Sequence, residues 1–343
     1  ITIGLKAIPD AAHPFQNPPP GAQRGGCPGL NLLANYGYID RSGVTDVGKL
    51  LFALQEGLGL APDLAGFLVA ISFRGLTDPT TLKMSIGRTT SATSGLLTSL
   101  LGAAAVPGPF SPESHNKFDH DGSLAFDDAY FTPGGYTDRS NGTLWAHRVA
   151  LAKNEFGGLF GVDWVARTRY DEYKTCVQNN PECAWTVVTQ LEFYAATCFT
   201  FLVMPTTLPD GSLGDPTVSV VDTFSGFKLQ NGKYIKVPEK LPVGSDGIWR
   251  RRDVPLSLLE IVEAGLNSYL QYPVVFGSND GSTNSFIVDS RQLNTENITP
   301  SAVICLLYNE IVENVPSSFG VLQDQVVALV NLLLAPAMVG LSC

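Results

Sequence analysis

Charge is scarce in this 343-residue chain, and basic charge scarcest. Charged residues make up 16%, with 22 Lys and Arg against 32 Asp and Glu, for a net charge of −10. A surface that neutralises phosphates needs the opposite balance, so nucleic acid is excluded as a partner. No phosphate loop stands in for that charge: the glycine-rich pieces at 21–29 and 157–161 lack the strand-turn-helix setting and the Lys-Ser/Thr ending that cradle a phosphate. Internal repeats are missing, which excludes solenoids and propellers. Long apolar runs are missing too. The most apolar stretch, 326–341, contains Asn331 and Pro336 and falls short of the ~20 residues a membrane span needs, so it reads as a core helix.

What the chain does have is core material. Apolar residues make up 44%, enough for a sizeable buried interior, while 34 Gly and 23 Pro imply much turn and irregular coil. Composition shows no sharp break, so one domain over 1–343 is expected. The chain starts at Ile1 with no leader-like stretch, which is how a processed mature chain looks. The triplets Asn141-Gly142-Thr143 and Asn297-Ile298-Thr299 are glycosylation sequons, and with the acidic composition they point to export, secreted and extracellular.

Helical spacing dominates. Val47, Leu50, Leu51, Leu54 and Leu58 share one face behind a Thr45 cap, and Pro62 opens a second helix with Leu64, Phe67, Leu68 and Ile71 inside. The spacing recurs at 258–269 behind Pro255, at 303–312 behind Thr299-Pro300, and at 322–334. One strand signal stands out: a hairpin with arms 217–221 and 234–237 around the turn Gln230-Asn231-Gly232. The fold class is therefore mostly α with a small β-hairpin.

Six cysteines need sorting. Cys176 and Cys183 flank VQNNPE, whose Asn-Asn-Pro run turns the chain back and suits a local disulfide in an oxidising compartment. Cys343 is terminal and would tie down the tail if bonded to Cys305. Cys198, in AATCFTFLVM, reads as a buried thiol. Cys27 is left over.

Cys27 precedes Pro28 and a helical run in RGGCPGLNLLANYGYIDRSG, so it belongs at a helix N-terminus. There the free amides and the helix dipole lower a thiol pKa and donate to sulfur, which suits a thiolate that binds metal. A half-disulfide at a loop is the competing reading. A second segment, SHNKFDHDGSLAFDDAYF (114–131), holds Asp119, His120 and Asp121 with a hydroxyl at Ser123. Asp119, Ser123 and the backbone carbonyl of His120 together offer oxygens to a hard cation such as Mg²⁺ or Mn²⁺; the bland alternative is a solvated acidic loop.

Together the two segments resemble the fungal heme-thiolate peroxidases, the chloroperoxidase and unspecific peroxygenase family. That family has a Pro-Cys-Pro element whose Cys is the axial heme ligand, a helix LNxLANxGYI, and later HNxxEHDxSL or EGDxS. Here Cys27-Pro28 with LNLLANYGYI and HNKFDHDGSL match, and EKLPVGSDGIWRR (239–251) is similar to ERLPxxxGW. The resemblance covers 20–270 and leaves 271–343 as a C-terminal helical extension, similar to longer peroxygenases, some of which close the tail with a disulfide such as Cys305–Cys343. Three positions depart from the family: Gly26 replaces the first Pro, Asp119 replaces Glu, and Phe126 stands near the place of an Arg.

The resemblance implies heme b held by Cys27, a Mg²⁺ or Mn²⁺ at Asp119 and Ser123, and hydrogen peroxide as oxidant with no reductase partner. A ferryl intermediate would transfer oxygen to small organic substrates or oxidise them. The family's distal acid-base group is a Glu on an apolar helix, assisted by a His or by an Arg just before it. Glu192 is the one carboxylate in the apolar stretch 184–204, no Arg precedes it, and so His120 is expected to assist. Glu192 also reads as a plain helix-start residue, with Glu182 and Glu155 as alternatives. Two rival functions stand beside this one: a halide-oxidising chloroperoxidase-type enzyme, and a secreted, disulfide-stabilised binding protein that kept the fold without heme.

Overall fold

The computed structural model describes residues 1–74, 77–102, 106, 108–205, 214–341 and 343. Chain order is β1 (Lys6–Ile8), α1 (Pro28–Asn35), β2 (Val44–Asp46), α2 (Val47–Leu58), α3 (Pro62–Phe73), β3 (Lys83–Ser85) and α4 (Leu96–Leu101). A long irregular segment then leads to α5 (Gly142–Glu155), α6 (Val162–Asn179), β4 (Ala184–Trp185), α7 (Val187–Leu202) and α8 (Val218–Ser225). The chain ends with β5 (Phe227–Gln230), β6 (Lys233–Lys236), β7 (Trp249–Arg251), α9 (Leu258–Gln271), β8 (Gly277–Ser278), β9 (Ile287–Val288), α10 (Pro300–Glu313) and α11 (Gln323–Leu334). The fold is mostly α, as expected. Its strands form small antiparallel sheets, β1-β7, β2-β3, β4-β8-β9 and β5-β6, which clip segments together rather than build a layer.

Helix α7 is central: it packs on α9 and also meets α6 and α10, while α3 packs on α2 and α11. The α7–α9 crossing is close because Gly265 faces the backbone of Ala195, which a Cβ would approach to 2.9 Å. Apolar periodicity explains the rest. Leu50, Ala53, Leu54 and Leu58 of α2 and Leu64, Phe67 and Ile71 of α3 are all buried in one core.

Three local expectations need correction. The hairpin is β5–β6 around Asn231-Gly232, not arms at 217–221 and 234–237; residues 218–225 form α8, which Gly226 ends at φ +69°. Turn chemistry was readable, but a run of β-branched residues such as VSVV does not separate strand from short buried helix. The cap of α2 is Asp46, which accepts from the Lys49 amide, while Thr45 lies in β2. The stretch 326–341 is not a core helix. Its α-helix stops at Leu334, and only Val326, Val330, Leu333, Leu334 and Ala337 are buried, whereas Leu332 and Val339 are exposed. With flanking 3₁₀ turns the helical stretch Ser317–Met338 runs 22 residues, long and apolar enough by length and composition to cross a membrane; its most apolar 18-residue window has a mean hydropathy of 1.5 and is 28% buried.

The Cys176–Cys183 and Cys305–Cys343 disulfides are both formed, and Cys198 is a buried thiol.

Candidate active site

Cys27 sits where its sequence neighbours put it, as the N-cap of α1 with Pro28 in the first turn. The loop before it is pinned by the motif's own asparagines. Asn31 accepts from the Gly25 amide (3.1 Å) and donates both to the Gly25 carbonyl (2.8 Å) and to Glu239 Oε1 (2.8 Å). Asn35 donates to the Glu239 carbonyl and accepts from Arg24, and Tyr36 Oη accepts from the Leu241 amide. Thus the 239–241 stretch closes on the face of α1, and the three sequence patches become one assembly. Gly26 is required there because a Cβ would stand 2.3 Å from the Phe126 ring. The bulk at position 126 therefore accompanies the missing bulk at position 26.

The thiol itself differs from expectation. Burial raises the Cys27 pKa and outweighs the lowering by the Gly29 and Leu30 amides, with Glu239 adding to the rise. The helix N-terminus acts in the expected direction but loses to desolvation. A thiol so placed becomes a thiolate when a metal cation is brought against the sulfur.

Cys27 opens on an apolar cavity of about 290 Å³. The same cavity is lined by Asp119, His120, Ser123 and Glu192, so residues far apart in sequence converge on one space with Phe67, Phe118 and Phe199. Glu192 lies in the second turn of α7, which begins at Val187 behind Thr186, and is not a helix-start residue. Its Oε2 is 3.5 Å from His120 Nε2, while Glu192 Oε1 and His120 Nδ1 are buried without partners among the described residues. Glu182 and Glu155 are exposed and away from the cavity.

The loop carrying His120 is held from several sides. Asn116, at φ +63°, donates its amide to the Asp119 carbonyl. Gly122, at φ +76°, leaves room for Trp185, which a Cβ would approach to 2.6 Å. Behind it the disulfide loop and the start of β4 supply one bond each: Asn180 donates to Asp128 and the Ala184 amide donates to Asp121. Asp121, Asp128 and Cys176 come together in a cluster of metal-ligand type, but that sulfur is in the disulfide and offers no thiolate. Burial, with Asp121 close by, raises Asp128 to about 6.

Sequence reasoning missed His115. Its ring lies 3.5 Å from Asp119 and 3.1 Å from Asp121, and although burial works against its charge, these two carboxylates lift its pKa to about 10. The signal was present in the HN pair that opens the motif, but the i, i+4 and i, i+6 pairings need this irregular loop. Asp119 and Ser123 are both buried, and Asp119 Oδ2 has no hydrogen-bond partner among the described residues.

Residues 13–254 match the family described as peroxidase, family 2. The chain belongs to that family, the fungal heme-thiolate peroxidases. Relatives of this family member include the aromatic peroxygenase of Coprinellus radians, 27% identical over 72% of the chain and 86% of that protein. The aromatic peroxygenase of Cyclocybe aegerita is 27% identical over 90% of the chain and 73% of its own length. The dothistromin biosynthesis peroxidase of Dothistroma septosporum is 29% identical over 80% and 64%. The family match contains Cys27, the 114–131 loop, Glu192 and Glu239, and it stops before α9.

Proposed function

We propose that this chain is a secreted heme-thiolate peroxygenase or peroxidase that uses hydrogen peroxide to oxygenate or oxidise small apolar organic molecules. The observation that carries this reading is the single cavity shared by Cys27, His120 and Glu192. Its residues suit heme b: a sulfur at a helix N-cap, aromatic and aliphatic walls for a flat apolar ring, and a buried carboxylate oxygen without a partner among the described residues. A thiolate-held heme supplies electron density that favours O–O cleavage.

The protein side of the chemistry falls to two groups. Glu192 would accept a proton from one peroxide oxygen at Oε1 and return it to the other, the part of a general acid-base carboxylate. His120, across 3.5 Å, orients Oε2 and stabilises the carboxylate. The apolar walls hold the substrate and keep bulk water away, and with peroxide as oxidant no reductase partner is needed.

Asp119 Oδ2, Ser123 Oγ and the His120 carbonyl are the oxygen set assigned to Mg²⁺ or Mn²⁺. His115 competes for the same Asp119 oxygen, so cation and imidazolium are rivals there. Of the two sequons, Asn297 is exposed, whereas the Asn141 amide caps α5 and donates to Asp127, which makes Asn297 the better glycan acceptor.

The test is spectral. Purified protein loaded with heme, reduced under carbon monoxide, should show a Soret band far to the red of the band given by nitrogen-ligated heme. Protein that binds no heme, or shows only the unshifted band, removes the reading and leaves the binding-protein alternative.

A further inference from the structure

The stretch before Glu192 contains no arginine, but the fold delivers one from another helix. Arg169, in the middle of α6, is fully buried, a rare state for an arginine. Among the described residues no carboxylate pairs with it. Its guanidinium donates to the Gly122 carbonyl and to Gln190 Oε1, and lies over the rings of Trp185 (4.7 Å), Phe193 (4.5 Å) and Tyr194 (5.4 Å). Gly122 is two residues after His120, and Gln190 two residues before Glu192. Phe193 follows Glu192 and meets His120 edge-on, with ring centroids 5.7 Å apart. Gln190 also donates to the Asp121 carbonyl at 3.4 Å. Asp128 acts on it only at a distance; a buried charge without a directly paired carboxylate is costly, and apolar residues would fill this space at lower cost. What the guanidinium adds is a rigid, forked donor that spans two chain segments.

We propose that Arg169 is a positioning residue for the proton-transfer pair, its fork fixing the separation of the His120 loop from the Glu192 helix. Arg169 does not line the cavity, so it acts only through these two segments. The inference rests on the proton-transfer reading of His120 and Glu192 given above.

The experiment compares Arg169→Lys and Gln190→Leu, each alone and combined with Glu192→Gln, in heme-loaded protein. The readouts are heme content, the ferrous-CO band, and the association rate of cyanide, which enters as hydrogen cyanide and must give up its proton to bind. Each single variant should keep the band and slow cyanide association by about tenfold, as expected when a proton-transfer pair is displaced slightly. Added to Glu192→Gln, neither should slow it further, because the group they position is already gone. Equal slowing in both backgrounds, or a parent-like rate, overturns the proposal. Should Arg169→Lys fail to fold, Gln190→Leu decides by the same comparison. A parent without the red-shifted band overturns the heme-thiolate reading itself, an outcome distinct from a normal band with unchanged cyanide kinetics.

Discussion

The two sides of the cavity are built by opposite means. On the cysteine side, Cys27, Pro28, Asn31 and Asn35 lie within nine residues, and one helix presents them all; a single distant patch, 239–241, closes the assembly. On the opposite side, His120 comes from an irregular loop and Glu192 from α7. Their meeting depends on Gly122, on Arg169 from α6, on Asn180 of the disulfide loop and on Ala184 of β4. A local frame can be written in a short motif. A frame assembled from buried polar groups cannot, because each group satisfies a partner supplied by another element.

The largest test of this contrast is Cys27→Ala, which should abolish the red-shifted ferrous-CO band entirely; a retained band would place the ligand elsewhere. Next comes Glu192→Gln. It should slow the reaction with peroxide by about 10² to 10⁴ in stopped-flow mixing while the ferrous-CO band stays, the scale of a lost general acid-base group. If both variants lost the band, the two sides would not be separable and the contrast would fail.

Stability changes come after these. Asn31→Leu strands the Gly25 amide and carbonyl and leaves Glu239 Oε1 to Lys236 alone, and buried groups so stranded cost about 1–3 kcal/mol each. A clear fall in the urea midpoint and a weakened ferrous-CO band should appear together. Opening the Cys176–Cys183 link with paired serines should cost about 2 kcal/mol by loop closure. It should slow peroxide chemistry and spare the ferrous-CO band, because that loop supports only the His120 side. A changed band would contradict the division of labour.

The smallest effect concerns acid. Glu56 is packed under Arg251, at the far end of the patch that pins α1; burial alone would raise its pKa, but bonds from Lys6 and Thr2 bring it down to about 2. A carboxylate with a lowered folded pKa stabilises above its unfolded value and loses that contribution as pH falls through the folded one. Melting scans from pH 5 to pH 2 should therefore show a decline in the parent that is flatter in Glu56→Gln. Equal slopes would mean that this ion cluster does not hold the frame.

Much of the fold was legible because it follows from periodicity and caps. Pro62, Thr299-Pro300 and Cys27-Pro28 start helices where the sequence puts them, and both disulfides join the expected residues. Two of the failures share one cause. Residues 218–225 are a helix, and 326–341 is half exposed, because short apolar segments take their state from what they pack against. Placing Glu192 at a helix start failed similarly, since Val187 to Leu191 belong to α7 on packing grounds without a marked side-chain cap.

The sequence by itself determined the cysteine side: a thiol before proline at a helix start, with asparagines at i+4 and i+8 facing the same way, follows from helix geometry alone. Only the tertiary structure decided the side that holds His120 and Glu192. It supplied His115 beside Asp119, Arg169 behind Gly122 and Gln190, and burial strong enough to reverse the pKa direction expected for Cys27. Desolvation and buried hydrogen bonding are properties of a packed interior, and no stretch of chain carries them until others close over it.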